Sequence, residues 1–127
     1  MKQLITCLLA MLGLTACGQE KFETTDVKGF ETLTNESNVV VLDVRTAEEF
    51  AEGHLLGAIN IDQKQDNFIE KVKATLPNSK IIAIYCRSGR RSASAAGKMA
   101  DIGYKCVNLK GGILAWKDAN MPVVTCD

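Results

Sequence analysis

The chain has 127 residues, of which 46% are hydrophobic and 24% charged, a composition typical of one globular domain. Its 15 basic and 15 acidic side chains cancel, so bulk charge supports neither a nucleic-acid partner nor attraction to a membrane surface. The chain has a single histidine and no Cys-x-x-Cys pair, which argues against a zinc site, and no motif indicates a cofactor.

The first sixteen residues are predicted to be a signal peptide. Lys2 precedes a mainly apolar run over residues 4–14, which is too short to span a bilayer. Residues 14–17, Leu-Thr-Ala-Cys, resemble the lipobox of bacterial lipoproteins. The resemblance implies that Cys17 is lipidated and anchors an exported domain on the periplasmic side of a bacterial membrane, inner or outer. The alternative is a plain secretory signal cut before an unmodified cysteine.

Residues 17–25 are predicted to be a polar tether, whose last four residues are a candidate edge strand. Continuous apolar runs at 39–42 and 81–85 are typical of strands covered on both faces, as in a parallel sheet. Segments 58–61 and 106–109 are predicted to be shorter strands.

Helices are predicted between these strands. Thr46 and Glu49 have the spacing of a capping box, which predicts a short helix that Gly53 ends. The other predicted helices cover residues 68–76 and 92–102 and a segment around Trp116. This alternation predicts one α/β domain over residues 26–127, with a mostly parallel sheet of about five strands and helices on both faces.

A cysteine with a basic loop follows the strand predicted at 81–85. Cys86 is followed by Arg87, Ser88, Gly89, Arg90, Arg91 and Ser92. Sites in open parallel sheets form at the carboxyl ends of strands, and the free N–H groups at a helix N-terminus bind anions. These amides and the arginines would favour the Cys86 thiolate, so we expect a reactive cysteine with a lowered pKa.

Three blocks in the chain resemble those of rhodanese domains. The first includes Asp43-Val44-Arg45 and Gly53-His54-Leu55, the second is 86–92, and the third is 111–116. The likeness covers residues 26–120. It implies a single-domain sulfurtransferase in which Cys86 takes a sulfane sulfur from a donor such as thiosulfate. The resulting persulfide would pass that sulfur to cyanide or a thiol.

The resemblance also implies roles for the residues around Cys86. Residues 87–92 would bind the small anionic donor, with Arg87 and Arg91 holding its sulfonate, whereas Arg90 is equally consistent with plain exposure. Asp43 is a candidate for loop support, although a structural hydrogen bond is the stronger expectation. Related phosphatases place an arginine six positions after the cysteine, where this chain has Ser92, which favours sulfur over phosphate.

The sequence is also compatible with another function for the domain and with more than one disulfide pairing. The domain could be a non-catalytic rhodanese module that binds a partner or senses redox state, although the presence of Cys86 argues against this. Cys126 could form a disulfide with Cys106, or act as a resolving cysteine for Cys86. Cys106 is otherwise expected to be a buried small hydrophobe.

Three side chains near these motifs have structural interpretations. Arg45 and Glu49 are four residues apart, and we expect them to form an ion pair. His54 is expected in a turn rather than as a catalytic base, and Trp116 is expected in the core.

Overall fold

The computed structural model describes residues 21–125, in which five strands alternate with five helices. The elements in chain order are β1 Glu23–Thr25, α1 Val27–Thr34, β2 Val39–Asp43, α2 Ala47–Glu52, β3 Ile59–Asn60, α3 Phe68–Thr75, β4 Ile81–Tyr85, α4 Arg90–Ala100, β5 Lys105–Leu109 and α5 Gly112–Asp118. All neighbouring strands pair in parallel, in the order β1-β5-β4-β2-β3. The predicted α/β fold with a five-stranded parallel sheet is therefore confirmed.

The middle strand β4 carries the chain to the candidate site. Its last four residues are buried, and it is flanked by β2 and β5 along its length. Asp43 at the end of β2 pairs with Tyr85 at the end of β4, so both strands stop at the same edge of the sheet. Cys86 therefore lies at the carboxyl edge, next to the end of β2.

Helices cover both faces of the sheet, as predicted. On one face, α3 and α4 pack over β2 and β4, and the alanines Ala95 and Ala96 are fully buried there. Such small side chains let α4 lie close to the sheet, which brings its N-terminus near Cys86. On the other face, α1 and α5 bury Phe30 and Trp116, so the core position expected for Trp116 is confirmed.

Two helices differ from the prediction. Helix α1, which has eight residues and Gly29 inside it, is not predicted from the sequence. Asp26 caps it by accepting a hydrogen bond from the Gly29 N–H at 3.0 Å. Burial of Phe30 then holds it on the sheet. Helix α4 begins at Arg90, two residues before the predicted start, because Gly89 supplies a left-handed turn with φ of 101°. The last two arginines of the basic segment are therefore helical.

The edge strand predicted at the end of the 17–25 tether is seen as β1, which pairs with β5 at the edge of the sheet. Within residues 21–125, no helix combines the length and apolar character needed to cross a membrane. Cys17, Cys126 and the predicted signal peptide lie outside the described residues.

Candidate active site

The site centres on the sulfur of Cys86, which receives two hydrogen bonds from the residues that follow it. The Gly89 N–H donates to Sγ at 3.1 Å, and the Ser92 hydroxyl donates to it at 3.3 Å. The cysteine is only 1% exposed, so the sulfur sits at the base of the loop rather than on the surface.

This environment lowers the pKa of the Cys86 thiol. Burial acts in the opposite direction, because it disfavours a charged sulfur. The hydroxyl of Ser92 and the backbone N–H groups of Ser92, Gly89 and Ser88 favour the negative sulfur and outweigh this effect of burial. These donors, backbone amides and one hydroxyl, form a cradle around the Cys86 sulfur. They favour its thiolate, and Cys86 is suited to nucleophilic attack.

The first turn of α5 explains why the amides of the loop face the sulfur. The N–H of Ile113 donates to the carbonyl oxygen of Cys86 at 2.9 Å, and the N–H of Leu114 donates to that of Arg87 at 3.2 Å. These N–H groups have no partners within their own helix, so they are free to hold the carbonyls of the loop. With its carbonyls held by α5, the loop can direct its own N–H groups to Sγ.

Gly112 makes this close approach feasible. A Cβ atom there would lie 2.4 Å from the carbonyl oxygen of Arg87 and 2.6 Å from that of Cys86, and the φ of 61° also favours glycine. In the sequence, Gly111 and Gly112 stand out only as the first two residues of the block at 111–116. The contact with the loop follows from the fold, which packs α5 against the end of β4.

Asn108 is a further contributor to the site, although no sequence motif indicates it. Its Nδ2 donates to the carbonyl oxygen of Gly89 at 3.3 Å, which ties the turn of the loop to β5. Its Oδ1 is buried and has no hydrogen-bond partner among the described residues. The sequence feature that could have identified Asn108 is its polar side chain within a strand whose adjacent residues are apolar.

The three arginines of the loop have different surroundings. Arg87 and Arg90 are exposed, whereas Arg91 makes a two-pronged ion pair with Glu49 at 2.8 and 2.9 Å. Hydrogen bonds from Arg91 lower the pKa of Glu49 to about 2; burial opposes this shift, and Thr46 assists it. Glu49 raises the pKa of Arg91 in turn, and the charge of Cys86 contributes to that rise.

The expected ion pair between Arg45 and Glu49 is wrong. Arg45 is buried and donates to the carboxylate of Asp43, with its terminal nitrogen 2.7 Å from Oδ2. The same guanidinium donates to the carbonyl oxygen of Gly53 at 2.7 Å. Arg45 turns inward at the end of β2, whereas Glu49 lies in the first turn of α2 and meets Arg91 of α4. The structural role expected for Asp43 is therefore seen in its contacts with Arg45.

His54 and Cys106 have structural environments. The backbone of His54 pairs with that of Val124, and its ring stacks on Phe50 with Nδ1 2.8 Å from the Phe50 carbonyl oxygen. Cys106 is buried in β5, and burial raises the pKa of its thiol to about 12. Among residues 21–125, neither Cys86 nor Cys106 forms a disulfide, and the pairings considered for Cys126 involve a residue outside the described range.

Comparisons with known proteins agree with this geometry. A sequence model of the rhodanese-like domain matches residues 26–119. Thiosulfate sulfurtransferase 18 of Arabidopsis thaliana is 36% identical over 118 residues, covering 84% of this chain and 86% of the relative. A sulfurtransferase of Allochromatium vinosum is 33% identical over 95 residues, covering 74% of this chain and 86% of the relative. The crystal structure of a rhodanese-related protein from Thermoplasma volcanium superposes with a TM-score of 0.73 at 30% identity, covering 81% of this chain and 98% of that one.

Proposed function

This chain belongs to the rhodanese-like domain family, and on that basis we propose that it is a sulfurtransferase that carries a sulfane sulfur on Cys86. The observation that carries the proposal is the convergence of the Gly89 N–H and the Ser92 hydroxyl on the Cys86 sulfur. A sulfur held in this way is stabilised as a thiolate, and the same donors can stabilise the negative outer sulfur of a persulfide.

The proposed reaction has two displacement steps and needs no external oxidant or reductant. The Cys86 thiolate attacks the sulfane sulfur of thiosulfate, a new S–S bond forms, and sulfite leaves with the electron pair of the old S–S bond. Cyanide or a thiolate then attacks the outer sulfur of the persulfide. The acceptor leaves as thiocyanate or as a new persulfide, and the Cys86 thiolate is regenerated.

The exposed arginines suit a small anionic donor. Arg87 and Arg90 place two positive charges on the outer side of the loop, where they raise the local concentration of anions. Cys86 is almost fully buried, so the part of the donor that reaches its sulfur must be small. Both features fit a donor whose terminal sulfur enters the loop while its sulfonate stays near the arginines.

Phosphoester hydrolysis fits the same loop poorly. The position six residues after Cys86 is Ser92, a buried side chain that bonds to the sulfur itself. The arginine that the related phosphatases have at this position is thus replaced by a hydroxyl in this chain. The arrangement therefore favours a transfer in which a single sulfur atom sits on the cysteine.

Turnover of thiosulfate with cyanide tests the proposal. We expect the purified protein to form thiocyanate, and Cys86→Ser to abolish the reaction because the nucleophile is lost. Cys106→Ala is the matched control and should retain activity, since Cys106 is a buried thiol on another strand. Equal rates for the wild type and Cys86→Ser would contradict the proposal and favour a non-catalytic binding module.

We also propose that Cys17 is lipidated and anchors the domain on the periplasmic side of a bacterial membrane. The support is the apolar segment at residues 4–14, followed by the Leu-Thr-Ala-Cys sequence. Expression with a radioactive fatty acid in a bacterial host tests this. We expect label in the wild-type protein and none in Cys17→Ser; an unlabelled wild type would contradict the anchor and leave the plain secretory signal.

A further inference from the structure

We propose that Glu49 is a positioning residue that holds the Arg91 guanidinium beside the Cys86 loop, where it receives the anionic part of the sulfur donor. The inference extends the proposed function, on which it rests for the identity of the anion. Glu49 lies on α2, outside the cysteine loop, and would not itself touch the substrate.

The contact between Glu49 and Arg91 is well defined. Two nitrogens of the guanidinium donate to the two carboxylate oxygens at 2.8 and 2.9 Å, although the residues are 42 positions apart in the chain. The side chains are 24% and 27% exposed, so the pair is partly shielded from water. A two-pronged contact of this kind fixes the plane of the guanidinium as well as its distance.

Glu49 is in turn held by the N-terminus of α2. Its Oε1 accepts a hydrogen bond from the backbone N–H of Thr46 at 3.0 Å and from the Thr46 hydroxyl at 3.2 Å. The Thr46 hydroxyl also accepts from the Glu49 N–H, which completes the predicted capping box. Because Thr46 holds the carboxylate at the N-terminus of α2, Glu49 places the arginine at a defined position relative to that helix.

Arg91 links the N-terminus of α2, through Glu49, to the loop that surrounds the reactive sulfur. It immediately precedes Ser92, whose hydroxyl donates to Cys86 Sγ, and the charge of Cys86 acts on the Arg91 guanidinium. Arg87 and Arg90 are exposed, and an exposed arginine loses more conformational freedom when it binds a ligand. A guanidinium that is already held in place can bind the donor with less ordering cost.

The pair has two opposite electrostatic consequences, and these make the inference testable. Glu49 neutralises part of the positive potential at the loop, and this effect by itself would make any loss of the carboxylate favour the approach of anions. Glu49 also fixes Arg91, so removal of the whole side chain should hinder them. The proposal is that placement outweighs neutralisation.

Alkylation of Cys86 measures this balance without any sulfur transfer. The rate with iodoacetate, an anion, is divided by the rate with iodoacetamide, which is neutral, and both are followed on the Cys86 peptide by mass spectrometry. The ratio cancels the thiolate fraction and reports the local potential felt by an anion. We expect Glu49→Ala to lower the ratio by about threefold or more. An unchanged or higher ratio would overturn the proposal.

A double-mutant cycle shows whether Glu49 acts through Arg91. We expect Arg91→Ala to lower the ratio as well, and the double variant to show no further drop below Arg91→Ala. A further drop of equal size in the double variant would contradict the proposal, because Glu49 would then act independently. An unchanged ratio in Arg91→Ala would also overturn it.

Two variants separate positioning from folding. Asp26→Ala removes the cap of α1 and leaves the ion pair and its helix cap intact, so we expect a lower melting temperature with a wild-type alkylation ratio. Glu49→Gln keeps the size of the side chain and an oxygen that can accept from Thr46. It replaces Glu49→Ala in the alkylation experiment if Glu49→Ala does not fold. Its ratio should fall between those of the wild type and Arg91→Ala; a ratio above the wild type would show that neutralisation dominates.

With thiosulfate, we expect Glu49→Ala to raise KM more than it lowers kcat, since the anion is bound less well while Cys86 is unchanged. A loss confined to kcat would contradict a positioning role in donor binding. If the wild type shows no turnover at all, the proposed function fails, but the alkylation ratios still decide the role of Glu49.

Discussion

The backbone N–H of Ile113 donates a 2.9 Å hydrogen bond to the carbonyl oxygen of Cys86, which makes the first turn of α5 part of the wall of the site. The reactive loop is thus shaped from two sides. The N-terminal turn of α4 supplies donors to the sulfur, and that of α5 holds the carbonyls that face away from it. Substitutions in α5 should therefore alter chemistry at Cys86 without changing any side chain that contacts the sulfur.

Gly112→Ala should damage both stability and activity. The new Cβ would meet the carbonyl oxygens of Arg87 and Cys86 at 2.4 and 2.6 Å, and φ is positive. We expect a loss of about 1–3 kcal/mol in the free energy of unfolding, measured by urea denaturation, with a further loss of turnover at temperatures where the variant is folded.

Gly97→Ala is the matched control for that substitution. Gly97 lies in α4, and a Cβ there has no neighbour within 4 Å. Alanine is the better helix former, so we expect a gain of about 0.5–1 kcal/mol in the free energy of unfolding. Equal losses for the two variants would contradict the explanation based on close approach to the loop.

Ser92→Ala should raise the pKa of the Cys86 thiol, because the side-chain donor to the sulfur is lost. The rate of Cys86 alkylation at neutral pH should fall by about tenfold or more, as expected for the loss of one hydrogen bond to a charged group. The pH dependence of the rate should shift upward. Ser94→Ala, an exposed serine of the same helix, is the control and should keep the wild-type profile.

Stability at acid pH should report the pair between Glu49 and Arg91. The pKa of Glu49 is about 2 in the folded protein, against an ordinary value of roughly 4.3 in the unfolded chain. A lowered folded pKa stabilises the protein above the unfolded value, and this stabilisation is lost as the pH falls toward 2. The difference in free energy of unfolding between wild type and Glu49→Gln should therefore be largest near neutrality and shrink below about pH 4.

The control for that experiment is Glu48→Gln, which replaces an exposed carboxylate in the same turn of α2. We expect its difference from the wild type to be small at every pH. A gap between wild type and Glu49→Gln that stays constant from neutral to acid pH would contradict a stabilising charge at Glu49.

Cys106 should be unreactive in the folded protein. Burial raises the pKa of its thiol to about 12, whereas hydrogen bonds lower that of Cys86. Brief treatment with iodoacetamide at neutral pH should label the Cys86 peptide and leave the Cys106 peptide unlabelled, and both should be labelled in urea. Equal labelling of the two in the folded state would contradict the assigned environments.

The sequence predicts the fold well where hydrophobic patterns are strong. The apolar runs that become β2 and β4, and the capping box of Thr46 and Glu49, act locally and need no tertiary information. Helix α1 escapes prediction because it is short and contains Gly29, and the burial of Phe30 that stabilises it is a tertiary effect. Helix α4 begins earlier than predicted for a similar reason, since the left-handed turn at Gly89 depends on the loop around it.

The sequence predicts the part of the site that lies within one continuous segment, but not the parts that distant segments contribute. The order of Cys86, Gly89 and Ser92 indicates a cradle for one sulfur, which the structure shows as hydrogen bonds to Sγ. The partners that shape the cradle come from distant segments: Ile113 and Asn108 contact its carbonyls. Sequence spacing pairs Glu49 with Arg45, but the fold brings it to Arg91 instead.

The most direct test of the central claim is the mass of the Cys86 peptide after the purified protein is treated with thiosulfate and then freed of excess donor. We predict a gain of one sulfur atom on that peptide, which disappears on addition of cyanide. A Cys86 peptide of unchanged mass in folded protein, under conditions where iodoacetamide labels it, would contradict sulfur transfer through Cys86.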